Sequence, residues 1–559
     1  MKERCRIFSA GKSFLTVCFV IGNIFVTGLF VAVFAGGTAV EAVPRQDLVF
    51  LPAHKLAGMI RAGTVTSSEV VEAYLDRINT FNPSLNAIVT LDADGARKRA
   101  KEADDALRRG EIWGPLHGVP ITIKDNIATK GIKTTSSMPD LAGYVPNYDA
   151  TIVTRLKKAG AVILGKTNLP ALGMDLQTSS RVFGITNNPW DLKRTTGGSS
   201  GGEAAAVAAG LTALGFGNDI GGSIRIPSHF CGIYGIKPTE NFTSTFGVSP
   251  GTKSYGIRAV RHLTCSGPLA RSIEDLKLGL SVIAGPDTRN PDVPWVDLHQ
   301  AQDRGMNDLR ITWTDDFDGV PVSEETRAAL KAFVKKLEAR GCKVERFKGN
   351  FFDPHLQSVG KEWQDLYGVK TSEIPAMDFQ SAWTTYGRLM DFELGEYQPS
   401  LFRFVSYLTG WWYRKGAPMI AMAYPHSYEK YLRTMTQRDS FVSAMDEFLS
   451  ERDVLLCPVT STPAFVHITP WKHFGPFPVY KDPMLIDGKP VKYLVANMSY
   501  TSIFNLTGSP VVVIPIGYTK DGLPIGVQIV GKRWRDMELL SVAAQLDKVA
   551  SAYRKPDGY

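Results

Sequence analysis

The chain is expected to fold as an α/β protein, with a central mixed sheet covered by helices on both faces. Three observations predict this. Stretches of helical spacing alternate with short apolar runs, Gly, Pro and Asp-Gly signals separate them, and the composition is that of a packed globular chain, 44% apolar and 21% charged over 559 residues. In order, Thr66-Ser-Ser-Glu69 is a capping box. It opens a helix with Val70, Val71, Tyr74, Leu75 and Ile78 on one side, ended by Asn82-Pro83. Residues 93–109 form a second, charged helix stopped by Gly110. Apolar strands are expected at Val119 to Ile123 and at Ala161 to Leu164, with a helix from Ala150 to Lys158 between them. The alanine-rich run from Glu203 to Leu214 starts a helix beside Gly201-Gly202. Near the end, Val511 to Ile516 and Gly526 to Val530 flank an Asp521-Gly522 turn, a hairpin signal.

The N-terminus differs in character. Ser13 through Val40 carries no charge and follows Lys2, Arg4, Arg6 and Lys12. A secretory core is usually about 7–15 residues and a membrane span needs about 20, so Phe14 to Ala35 is long enough to span. Residues 1–42 are therefore expected to be a membrane anchor or signal segment, the length favouring an anchor, with 43–559 the catalytic domain. The flanking charges would hold the N-terminus in the cytoplasm and place the body outside it, anchored or exported. The formal charge of +8 is mild beyond this leader and forms no basic block, so no nucleic-acid partner is expected. The nine histidines and six cysteines show no ligand spacing, so no metal is expected either.

Chemistry concentrates in residues 197–226, Gly-Gly-Ser-Ser-Gly-Gly-Glu followed by a small-residue run and Gly-Asn-Asp-Ile-Gly-Gly-Ser-Ile-Arg-Ile. Ser199 and Ser223 each follow a glycine pair, so each sits on backbone that side chains do not crowd. Such backbone lets bare N–H groups converge beside a hydroxyl, which an acyl-transfer site requires. Flexible Gly/Ser linkers do not carry Glu203, Asp219 and Arg225 at their edges. No histidine lies in this segment. Upstream, Gly118-Val-Pro-Ile-Thr-Ile-Lys-Asp-Asn126 reads as a short strand ending in Lys124, whose desolvated amine would serve as a base.

Lys124, GGSSGG around Ser199, DIGGSIR around Ser223 and Cys231-Gly-Ile-Tyr-Gly-Ile-Lys-Pro-Thr239 occur in the order of the amidase signature family, which the chain resembles over most of residues 50–550. Their spacing is similar to that of fatty-acid amide hydrolase. The resemblance implies an amidase-signature fold and a Ser–Ser–Lys triad: Ser223 the acylated nucleophile, Ser199 the relay on a cis peptide, and Lys124 the base. It implies an oxyanion hole from the N–H groups of Ile220, Gly221, Gly222 and Ser223. Ser200 and Arg225 would orient the relay and the nucleophile loop. Gly173, Met174 and Asp175 fall where the family lines its acyl pocket, Asp175 being equally readable as a hydrogen-bonded structural residue. The implied activity is hydrolysis of a small carboxylic amide, fatty, aryl or peptidic, without a cofactor. Oligomeric state stays open, a homodimer included.

Rival readings remain. Gly160-Ala-Val-Ile-Leu-Gly-Lys-Thr167 fits the phosphate-loop pattern, but its interior reads as an apolar strand where a loop is needed. Gly197-Gly-Ser-Ser-Gly201 fits a nucleophile elbow, but Asp191 to Thr196 is no buried strand. The A subunits of tRNA-dependent amidotransferases share the signature, though they usually carry threonine where this chain has Ile220. A non-catalytic amidase-like receptor is opposed by the intact Lys124, Ser199 and Ser223. Residues 350–480 are the variable, aromatic stretch, with Phe402, Phe404, Tyr407, Trp411, Trp412 and Tyr413 near Arg403 and Arg414. Core, channel wall and membrane patch are all compatible with it.

Overall fold

Alternating helix and strand patterns build one eleven-stranded mixed sheet, seen in a computed structural model that describes residues 45–249, 260–299, 305–353, 377–394, 427–474 and 477–559. In chain order the strands are β1 (Ile88–Leu91), β2 (Pro120–Lys124), β3 (Val162–Thr167), β4 (Leu214–Asp219), β5 (Tyr234–Lys237) and β6 (Cys265–Ala270). Then come β7 (Arg310–Trp313), β8 (Lys343–Arg346), β9 (Val454–Pro458), β10 (Val511–Tyr518) and β11 (Pro524–Val530). Their spatial order is β1-β3-β2-β4-β6-β5-β10-β11-β9-β7-β8. β2 runs parallel to β3 and β4, whereas β6 pairs antiparallel with β4 and β5. Every residue of β2, β3, β4, β6 and β9 is buried, which requires cover on both faces.

One large core joins Val70, Tyr74 and Leu75 of the helix Ser67–Leu85 to Leu276, Leu280 and Leu540. A second, aromatic core gathers Phe317, Tyr386, Phe441, Tyr500 and Phe504. A small one packs Ala204, Val207, Ile224 and Cys231, which seats the two serine motifs against each other.

The capping box forms as expected, with the Glu69 N–H donating to Thr66 and the Thr66 N–H donating to Glu69. That helix nevertheless continues past Asn82-Pro83 to Leu85. The Asn82 side chain accepts from the N–H groups of Ala87 and Ile88, so the break falls after it, at left-handed Asn86. The alanine-rich helix is shorter than expected, Gly201–Ala208, because Gly210 turns the chain and Leu214 already begins β4.

The expected membrane anchor or signal segment is not met among the described residues. No helix among the described residues is long and apolar enough to cross a membrane. Their longest, Tyr428–Ser450, carries Glu429, Lys430, Arg433, Arg438, Asp439, Asp446 and Glu447, and charges are costly in hydrocarbon. The leader 1–42 on which that expectation rested lies outside the described residues, as do the aromatics from Phe402 to Tyr413.

Candidate active site

Parallel pairing of β2 with β4 brings the ends of both strands to one edge of the sheet, where Lys124 and Asn218 meet. The Lys124 side chain is fully buried, with Nζ 2.7 Å from Ser199 Oγ and 2.8 Å from Asn218 Oδ1. Burial pushes its pKa down to about 7, against the upward pull of Asp219 and Glu203. The amine is thus half neutral near pH 7 and able to take a proton.

Ser199 follows Gly197-Gly198, and the Gly198–Ser199 peptide is cis. Close approach explains one further glycine: at Gly173, which has φ +75°, a Cβ would fall 3.0 Å from Ser199 Oγ. Ser200 ties the two serine motifs together. Its N–H donates to the Ser223 carbonyl at 3.0 Å and its hydroxyl to the Asn218 carbonyl at 3.2 Å. Ser199 and Ser223 are 2% and 3% exposed, so water reaches both sparingly.

The loop from Asp219 to Arg225 hangs on one ion pair. Asp219 accepts from the N–H groups of Gly222 and Ile224 at 2.8 and 3.0 Å, and from Arg225 Nε and Nη2 at 3.0 and 2.9 Å. Burial alone would raise the Asp219 carboxyl, but the Arg225 guanidinium prevails and holds it well below its ordinary value. Arg225, also fully buried, donates onward to the Thr501 carbonyl, Gln528 and Asn505. The outer carbonyls of the loop are held as well, Ile220's by the Tyr386 hydroxyl at 2.9 Å and Gly221's by Thr501 at 2.7 Å. In a trans peptide the N–H points opposite its carbonyl, so the Tyr386 bond turns the Gly221 N–H the other way. Of the four amides expected to form an oxyanion hole, Gly222's is occupied by Asp219. Those of Ile220, Gly221 and Ser223 carry no hydrogen bond to the described residues.

A cavity opens beside this edge, lined by Ser199, Asn126 and Asn218 and walled by Leu172, Met174, Ile220 and Val248. Gly173 also lines it, whereas Ser223 and Asp175 do not. Asp175 is instead clasped by the hydroxyls of Tyr480 and Tyr493 at 2.6 and 2.8 Å and by the Leu176 N–H. Burial pushes its pKa up to about 6 despite these bonds. Both carboxylate oxygens are engaged, so Asp175 holds its own loop against Tyr480 and Tyr493.

The rival motifs resolve physically. Gly165, Lys166 and Thr167 lie in β3, hydrogen-bonded to strands on both sides, and Lys166 is buried against the Ile127 carbonyl, Thr129 and Thr134. The run before Gly197 belongs to a two-stranded sheet of Asn187–Asn188 and Asp191–Thr195, away from the central sheet. Asn505 is buried, its amide donating to Asp219. Among the described residues no His, Cys, Asp or Glu side chains group as metal ligands. Asn126, Asn218, Tyr386 and Thr501 were not singled out by sequence reasoning. Asn126 and Asn218 lie inside the quoted motifs, and the other two are over 160 residues from the loop they hold.

An amine and a hydroxyl paired beneath a glycine loop, at the edge of such a sheet, define a hydrolase of C–N bonds. The chain belongs to the amidase family, the amidase-signature enzymes, which it matches over residues 69–540. It is 34% identical over 508 residues to the A subunit of glutamyl-tRNA(Gln) amidotransferase from Carboxydothermus hydrogenoformans, covering 89% of this chain and 97% of that one. Among solved structures it is similar to 6-aminohexanoate cyclic dimer hydrolase, with TM-score 0.68 and 26% identity over 91% of this chain and 99% of that one. Fatty acid amide hydrolase is similar at TM-score 0.68 and 25% identity, over 91% of this chain and 87% of that one. These relatives overturn the expected location. The body anchored or exported to the extracytoplasmic side is withdrawn, since no helix among the described residues can cross a membrane and the curated relatives are glutamyl-tRNA(Gln) amidotransferase A subunits.

Proposed function

We propose that this chain hydrolyses a carboxylic amide through an acyl-enzyme on Ser223. The observation that carries the reading is the desolvated Lys124 amine 2.7 Å from Ser199 Oγ. Ser223 Oγ attacks the amide carbon as its proton passes to Ser199, whose own proton passes to Lys124 Nζ. The N–H groups of Ile220, Gly221 and Ser223 receive the oxyanion, each such donor contributing roughly 3–4 kcal/mol in related sites. The proton then returns through Ser199 to the leaving amine, and water releases the acid. Residues 43–559 would form the catalytic domain. The walls of Leu172, Met174, Ile220 and Val248 favour an uncharged acyl group.

A second reading is favoured by the curated relatives, amidotransferase A subunits one third identical over nearly the whole domain. The same acyl transfer would then draw nitrogen from a donor amide inside a complex with partner subunits and tRNA, and the expected absence of a nucleic-acid partner would fall.

Labelling the chain with a fluorophosphonate and mapping the adduct tests the common chemistry. The expected result is an adduct on Ser223 that disappears in Lys124→Ala; an adduct on Ser199 or Ser200, or none on folded protein, overturns it. A panel of amides then separates the readings. Turnover of uncharged amides by the chain alone favours the free amidase, and turnover only with partner subunits favours the amidotransferase reading.

A further inference from the structure

We infer that Asn218 and Asn126 are positioning residues that aim the Lys124 lone pair at Ser199, an inference resting on Lys124 being the base proposed above. A neutral amine has two N–H donors and one lone pair. Among the described residues Nζ has two hydrogen-bond partners, Ser199 Oγ and Asn218 Oδ1. An amide oxygen accepts and cannot compete for the lone pair, so Asn218 takes an N–H and leaves the lone pair to the hydroxyl. Were the amide reversed, its NH₂ would donate to Nζ and block the base.

Asn126 sets which end of the Asn218 amide faces the lysine. Asn218 Nδ2 donates to Asn126 Oδ1 at 3.0 Å, which commits Oδ1 to Nζ. Both asparagines are held, Asn218 in register opposite Ser266 on β6, and Asn126 through its carbonyl, which accepts from the Ser249 N–H at 2.6 Å. Both are nearly buried, at 7% and 3% exposed, and both line the cavity beside Ser199. Once the proton arrives, the same contact becomes a charge-assisted bond from the ammonium to Asn218 Oδ1.

The charged groups facing Lys124 are Asp219 and Glu203. Asp219 is committed to Arg225, and Glu203 accepts from the Thr122 hydroxyl at 2.6 Å. Asn218 is therefore the neutral acceptor in direct contact with the amine.

The test follows the rate of fluorophosphonate labelling of Ser223 against pH in the full chain. The parent rate is expected to rise through pH about 7. Asn218→Leu slows labelling roughly 10- to 100-fold and moves the rise to lower pH, because the ammonium has lost its acceptor. Asn218→Asp, nearly isosteric, moves it to higher pH, because a negative charge favours the ammonium. Asn126→Ala also slows labelling, and adding it to Asn218→Leu costs little more, as expected for one unit. If Ser223 labels normally but both Asn218 variants keep the parent pH dependence, the positioning role is wrong and the acyl-enzyme reading stands. If parent Ser223 takes no label at any pH, the acyl-enzyme reading fails and takes the positioning role with it.

Discussion

Lys124 concentrates the cost of this site in one side chain. A lysine with pKa about 7 when folded and near 10.5 when unfolded is held neutral in the protein while the unfolded chain binds a proton. Between those values the unfolded state carries the extra proton, so this group makes stability rise with pH from about 7 to about 10. Below pH 7 both states are protonated and the penalty, several kcal/mol on the scale of ~1.4 per pKa unit, is fully present. Lys124→Met should remove that contribution. Denaturant melts at pH 7 and pH 10 should show a smaller gain with pH in the variant, and an unchanged gain would mean the amine is not depressed. Ser199→Ala should lower kcat by roughly 10²–10⁴ with KM little changed, since it removes a proton path and leaves the pocket wall intact.

At the scale of elements, the loop between β4 and the short helix Arg225–Cys231 is organised by the buried Asp219–Arg225 pair. Removing one member leaves an uncompensated buried charge. Arg225→Met is thus expected to destabilise the fold by roughly 3–5 kcal/mol, read from denaturant midpoints. A change below about 1 kcal/mol would show that the pair is not what holds the loop. The loop's outward carbonyls give a gentler probe. Tyr386→Phe and Thr501→Val each delete one hydroxyl that orients a loop peptide, so kcat should fall while KM stays close to the parent value.

Across the whole molecule, the site depends on an aromatic core built from segments far along the chain from the serine motifs. Phe317 stacks on Phe379 at 4.8 Å and meets Tyr500 at 4.7 Å. It thereby ties together the helices Phe379–Leu394 and Tyr493–Leu506, which supply Tyr386 and Thr501. Phe317→Ala should cost roughly 3–5 kcal/mol and lower kcat as those helices loosen. Thermal melts beside steady-state rates check this, and a destabilised protein with parental kcat would show that the hydroxyls hold without the core.

Lys124, Ser199 and the Ser223 loop could be singled out because local chemistry marks them: a strand ending in lysine, glycine pairs before serines, and an acid and an arginine bracketing the turn; Ser200 came only from the family resemblance. The capping box, β2, β3 and the closing hairpin were legible for the same reason, since period and turn residues are local signals. What the chain order leaves unstated is contact between distant segments. That Asp175 is clasped by Tyr480 and Tyr493 and that Asn218 and Asn126 flank the amine follow only when β2 and β4 pair and the helix Tyr493–Leu506 packs on the loop. By itself the sequence determined the chemical groups and their local backbone. Only the tertiary structure decided which hydrogen bonds each group makes, because most buried polar atoms find a partner and many of those partners lie far along the chain.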